Sequence, residues 1–142
     1  MLELEELRKK IEVCDYAGAL HIIDQLDEMS KDDKLNKIYS FCVILLLHLI
    51  KQQVEGKTTK SWNRSILNSV GGINRTNKRR KSGGCYASRE DLLEIIDEAY
   101  PQAIRDASVE VFGGSLSEEE LEQKCDRDSL KNQAISFLVS DE

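Results

Sequence analysis

Apolar residues fall along this chain at intervals of three and four, and no stretch alternates strictly, so the pattern predicts helices from end to end. Leu2, Leu4, Leu7, Ile11 and Cys14 recur at that spacing with Glu5, Arg8, Lys9 and Glu12 between them, which predicts an amphipathic helix over 2–14. Asp15 is placed to cap a second, from Tyr16 to about Met29, with Ala19, Leu20, Ile23 and Leu26 on one stripe and Asp24, Asp27 and Glu28 on another. The two read as an αα-hairpin with almost no loop. A third element dominates. From Ile38 to Ile50 only Ser40 and His48 are clearly polar, and from Phe41 to Leu47 every side of a helix is apolar. A helix of that kind is the central rod of a bundle or a membrane span. Spanning takes about 20 apolar residues, and Lys34, Lys37 and Lys51 bound this run. The expectation is therefore no membrane span but a buried central helix over about 31–55, capped by Ser30 with Asp32 and Asp33 in its first turn.

Gly56 then ends the rod, and Thr59 or Ser61 caps a helix carrying Trp62, Ile66, Leu67, Val70 and Ile73. The Gly71-Gly72 pair is expected to end or bend it; otherwise helix continues to Lys81, with a turn at Gly83-Gly84. Ser88 and Asp91 form a capping box for the next helix, whose apolar face holds Leu92, Leu93, Ile95, Ile96, Ala99 and Tyr100. Pro101 either kinks that helix or starts a new one. Gly113-Gly114 stops the run, Ser117 to Glu120 is a second box, and Asp126 or Asp128 caps a last helix with Leu130, Ala134 and Ile135 inside it. The fold class is all-α: a compact multi-helix bundle in one domain, 1–142, around the central helix.

Composition leaves that picture standing. One domain is the expectation for 142 residues that are 40% hydrophobic and 32% charged, with one proline and eight glycines. Cys14, Cys42, Cys85 and Cys125 lie too far apart for metal-binding spacing, so neither metal nor cofactor is expected, and a reduced cytoplasmic setting is the simplest reading. The N-terminus lacks the apolar stretch of a signal peptide. Charge changes the picture more. Net charge is −6, yet nine basic residues (Lys57, Lys60, Arg64, Arg75, Lys78, Arg79, Arg80, Lys81, Arg89) fall between Gly56 and Arg89 with no Asp or Glu among them, leaving 11 against all 26 acids elsewhere.

The words VILLLHLIKQQ, TTKSWNRSI and LLEIIDEAYPQA, in that order, resemble a bacterial family abundant in cyanobacteria, domain-of-unknown-function family 29. The resemblance covers roughly Leu4 to Phe112, taking 1–112 as family-like and 113–142 as a C-terminal helical extension. It implies a compact all-helical domain and no activity, and it makes His48, Lys51, Trp62, Tyr100 and Pro101 motif positions. The chain departs from the commoner pattern at its start, where an aromatic-rich segment is absent, and in the basic NKRRKSGG insertion.

His48 is the residue that invites catalysis, alone or beside Trp62 and Tyr100, but His21 is the only other histidine and no H-x-x-x-H spacing occurs. A histidine satisfied by a backbone or hydroxyl hydrogen bond is the plainer reading, as a core anchor is for Trp62. Cys85, just after KRRKSGG, has cations to favour a thiolate but no base beside it. The basic segment is the stronger candidate: Lys60, Arg64, Arg75, Lys78, Arg79, Arg80 and Lys81 would attract a polyanion, either nucleic acid or an acidic protein. The function expected is a non-catalytic helical interaction or regulatory module that self-associates through surplus apolar helix faces. The alternatives are an enzyme around His48, and a structural subunit whose acidic ends pair with the basic middle of another copy.

Overall fold

A computed structural model describes residues 2–79 and 83–139. They form six α-helices: α1 Leu2–Glu12, α2 Tyr16–Glu55, α3 Lys60–Asn77, α4 Arg89–Ser108, α5 Glu118–Lys124 and α6 Arg127–Ser136, with a 3-10 turn Val111–Gly114 after α4. The all-helical class expected from the pattern is the one observed. The chain divides into two compact units, Met1–Lys34 and Leu35–Glu142, and the division falls inside α2.

In the first unit α1 ends in a reverse turn. Cys14 takes a left-handed backbone (φ 61°), the Asp15 amide reaches back to the Lys10 carbonyl at 2.7 Å and the Cys14 amide to that of Ile11 at 3.0 Å. Asp15 then caps α2 as expected, its Oδ1 accepting the Gly18 N–H at 3.0 Å while Lys10 Nζ stands 3.2 Å from Oδ2. Those two contacts, the backbone donor first, hold the Asp15 carboxyl below its usual range.

The expected break near residue 30 does not occur. Ser30, Asp32 and Asp33 are exposed residues inside α2 and cap nothing. From Ala19 to Glu55 there is neither Gly nor Pro, and the roughly half kcal/mol that Ser or Asp costs in a helix is too little to stop one.

In the second unit the apolar half of α2 is the axis of the core. Ile38, Cys42, Leu45, Leu46 and Ile50 are fully buried, packed in one cluster with Ile66 and Ile73 of α3, Leu92, Ile96 and Ala103 of α4, Leu121 of α5 and Leu130 of α6. Each such side chain contributes about 1.5–3 kcal/mol on leaving water. The wrapping is incomplete along one side: Ile44 stays exposed, and Phe41 and Leu47 are half-buried. By length and composition alone α2 also meets the test for a membrane-crossing helix, with a window of mean hydropathy 1.3 that is 44% buried.

α3 passes straight through Gly71-Gly72. A Cβ on Gly72 would stand 2.6 Å from the Phe41 ring, so at this glycine α3 packs directly on the Phe41 side chain of α2; a Cβ on Gly71 would meet nothing within 4 Å. The helix ends at Asn77, four residues before the expected Lys81. Asn77 is fully buried and turns the chain: its Oδ1 accepts the Ala87 N–H at 2.7 Å and its Nδ2 donates to the Ala87 carbonyl at 3.1 Å. Lys78 and Cys85 then pair as an antiparallel bridge. α4 continues through Pro101, which neither starts a new helix nor interrupts this one. Both expected capping boxes are present, Ser88 with Asp91 and Ser117 with Glu120, and Asp126 caps α6 by accepting the Ser129 N–H at 3.2 Å.

Candidate functional site

The N-terminus of α3 is set by Thr59, whose hydroxyl accepts the Trp62 N–H at 3.0 Å. From there Ile66, Ser69, Ile73 and Asn77 recur at helical spacing and are buried, so one side of α3 is fixed against the core. The opposite side follows from the same geometry. Lys60, Arg64, Leu67, Gly71 and Arg75 lie 4, 7, 11 and 15 residues apart from the first, on one stripe about 23 Å long, and all five are exposed. Among the described residues none of the three cations has an ion pair. Leu67, 69% exposed, sits between them.

The other basic residues are differently placed. Lys78 is exposed where α3 gives way to the bridge. Arg79 is half-buried, with its guanidinium 5.3 Å from the Tyr86 ring centre and its backbone N–H on the Gly84 carbonyl at 3.0 Å. Lys57 stands 5.9 Å from the Trp62 ring centre. Arg80 and Lys81 lie outside the described residues. The pattern of charge therefore resolves into one clear stripe on α3, prolonged by Lys78. Leu67 and Gly71 belong to it too, and their spacing from Lys60 was the signal that could have found them.

The five motif positions take separate roles. His48 is half-buried; its Nδ1 lies 2.8 Å from the Ile44 carbonyl one turn back, so that nitrogen carries the proton it donates there. Lys51 is only 8% exposed. Its ammonium lies 4.8 Å from the centre of the half-buried Trp62 ring and 3.4 Å from Glu110 Oε1, which ties α2 to α3 and to the segment after α4. Trp62 is thus flanked by two lysines, an arrangement that braces helices and leaves its ring engaged. Tyr100 is buried, with the Arg127 guanidinium 4.5 Å from its ring centre and no hydrogen-bond partner for its hydroxyl among the described residues. Burial, with Cys125 and Glu122 nearby, pushes that phenol above its ordinary range. The same burial raises the Cys125 thiol. Pro101 is exposed on α4. The missing N–H of that proline frees the backbone carbonyl of Asp97, whose carboxylate holds Lys131 at 2.6 Å and Arg127 at 3.7 Å.

No group of three His, Cys, Asp or Glu gathers among the described residues in a way that could hold a metal ion. His48, Trp62 and Tyr100 take different partners, and what the structure brings together is Lys51 with Trp62. Cys85 is half-buried in the bridge.

Sequence reasoning missed Asn74 as well as Asn77. Asn74 accepts the Val139 N–H at 2.9 Å and donates to the Phe137 carbonyl at 3.4 Å, fastening the chain after α6 along α3. An Asn pair three residues apart inside a helix was the available signal.

No curated protein and no solved structure matches the chain. The model of one family, described as "Domain of unknown function DUF29", matches residues 4–135, reaching past Phe112 through α5 and most of α6, so the segment read as an extension lies largely inside it. With all six helices inside or overlapping that span, the chain belongs to the DUF29 family, a domain of unknown function.

Proposed function

We propose that the protein is a cytoplasmic, non-catalytic interaction module whose working surface is the solvent side of α3, and that this surface takes an acidic protein partner. The observation that carries the reading is the stripe of Lys60, Arg64 and Arg75, free of ion pairs among the described residues on a helix whose other side is locked into the core. Unpaired cations in a row raise a local positive potential even on a chain of net charge −6. Three features favour protein over nucleic acid as the partner. Leu67 offers an apolar contact in mid-stripe; the aromatic rings nearest the cations, Trp62 and Tyr86, are engaged by Lys51, Lys57 and Arg79 instead of being open for base stacking; and the acidic whole opposes a polyphosphate. A water-soluble setting is supported by the burial of Ile38, Cys42, Leu45 and Leu46 within the protein itself.

The test is retention of the full chain on immobilised poly-glutamate and on DNA, eluted with salt. Lys60→Glu/Arg64→Glu/Arg75→Glu, and separately Glu at Lys78, Arg79, Arg80 and Lys81, should abolish salt-sensitive retention on poly-glutamate. Unchanged retention in the α3 variant would remove the reading, and tighter binding to DNA than to poly-glutamate would make nucleic acid the partner.

A further inference from the structure

The first unit, up to Lys34, is a layer of two helices that hides little of its apolar surface. Among its described residues only Ala19 and Ile22 are buried, and α1 has no buried residue at all. Leu4, Ile11, Tyr16, Leu20, Ile23 and Met29 are each 45% exposed or more. Tyr16, Leu20 and Ile23 stand at i, i+4 and i+7, a continuous stripe beside the covered one of Ala19, Ile22 and Leu26. A groove lined by Ile22, Leu26 and Met29 together with the acids Glu3, Asp24 and Glu28 runs between the arms of the hairpin. A two-helix layer with one apolar side is half of a packed structure, and the usual completion is a second such layer.

The charge pattern of α1 says which layer fits. Glu3, Glu5 and Glu6 lie in its first half and Arg8, Lys9 and Lys10, followed by Glu12, in its second, so that about Leu7 the acids Glu5 and Glu6 mirror the bases Lys9 and Arg8. Laid antiparallel on an identical helix about Leu7, Glu5 and Glu6 meet Lys9 and Arg8 on either side of the centre; laid parallel, like charges meet. A two-fold axis produces the antiparallel arrangement without any further surface.

We infer that two copies of this chain associate through their N-terminal hairpins, packed face to face as an antiparallel four-helix bundle. Glu5 and Glu6 of one copy oppose Lys9 and Arg8 of the other, and the Tyr16–Leu20–Ile23 stripes are buried between them. This inference is independent of the α3 surface and stands or falls without it.

Sedimentation equilibrium of the full chain decides it. The wild type should be a dimer. Leu20→Glu/Ile23→Glu should raise the dissociation constant by roughly a hundredfold or more, since both copies lose buried apolar side chains. Far-UV circular dichroism should show its helix content retained, because both positions are exposed. A second pair of variants removes any ambiguity from folding. Glu5→Lys/Glu6→Lys alone and Arg8→Glu/Lys9→Glu alone should each self-associate more weakly than wild type, and an equimolar mixture should recover the dimer. A wild type that stays monomeric at high micromolar concentration, or a mixture no tighter than its components, would overturn the inference.

Discussion

Two adjacent glycines show how finely the core is fitted. Gly72 lies against the Phe41 ring, where a methyl group would come within 2.6 Å, whereas Gly71 faces open space on the other side of the same helix. Gly72→Ala should therefore cost about 1–3 kcal/mol through overpacking. Gly71→Ala should be neutral or stabilise by about 0.5–1 kcal/mol through helix propensity and a less entropic unfolded chain. Urea denaturation of both variants checks the contrast; equal effects would place Gly72 wrongly. Cys42 makes a second prediction at this scale. Burial pushes its thiol up to about 12, so the neutral form is the one that belongs in the core. Its contribution is fully present below the unfolded-state value, about 8.5, and is lost as pH rises through 12. Tyr100, raised by burial in the same way, adds to that decline above about pH 10. Stability measured from pH 8 upward should fall, and fall less steeply in Cys42→Ala, while thiol alkylation at pH 8 should modify exposed Cys14 and spare Cys42 in the native protein.

Among the elements, α3 depends most on polar side chains. Asn77 satisfies both backbone groups of Ala87 from a fully buried position, so Asn77→Ala leaves a donor and an acceptor unpaired and should cost about 2–4 kcal/mol. Ser88→Ala, which loses one exposed cap, should cost about 1 kcal/mol. Thermal denaturation of the two should rank them in that order. Asn77 also marks where the sequence was hard to read. Periodicity marked each described helical segment, and the caps at Asp15, Ser88 and Ser117, with Thr59 and Asp126 each as one of two candidates, were legible because capping is a local interaction of adjacent residues. The end of α3 was not legible, since what stops it is a bond to Ala87 ten residues on. The continuity of α2 was misread for the opposite reason: Ser30, Asp32 and Asp33 look like a helix start, but mid-helix they face water and stop nothing. For the candidate site, the cations could be counted in the sequence while their availability could not. Arg79 and Lys57 lean on aromatic rings, and although spacing puts Lys60, Arg64 and Arg75 on one stripe, it is the orientation of α3, set by Ile66 and Ile73 on its buried side, that shows this stripe to be the exposed one.

At the scale of the molecule, the apolar cluster lies entirely between Ile38 and Leu138, in the second unit. A chain beginning at Leu35 should therefore unfold cooperatively in urea with most of the stability of the whole. Non-cooperative loss of structure would mean that the first unit completes the core. Within the second unit the core fixes one side of α3 and leaves the other charged, with Lys60, Arg64 and Arg75 free of ion pairs among the described residues, and the functional reading rests on that asymmetry. The most direct measurement is an amide chemical-shift titration of the full chain with a helical glutamate-rich peptide. Perturbations should concentrate on Lys60, Arg64, Leu67, Gly71, Arg75 and Lys78 and diminish as salt is raised. Shifts centred on other helices, or none at peptide concentrations up to the millimolar range, would contradict the account.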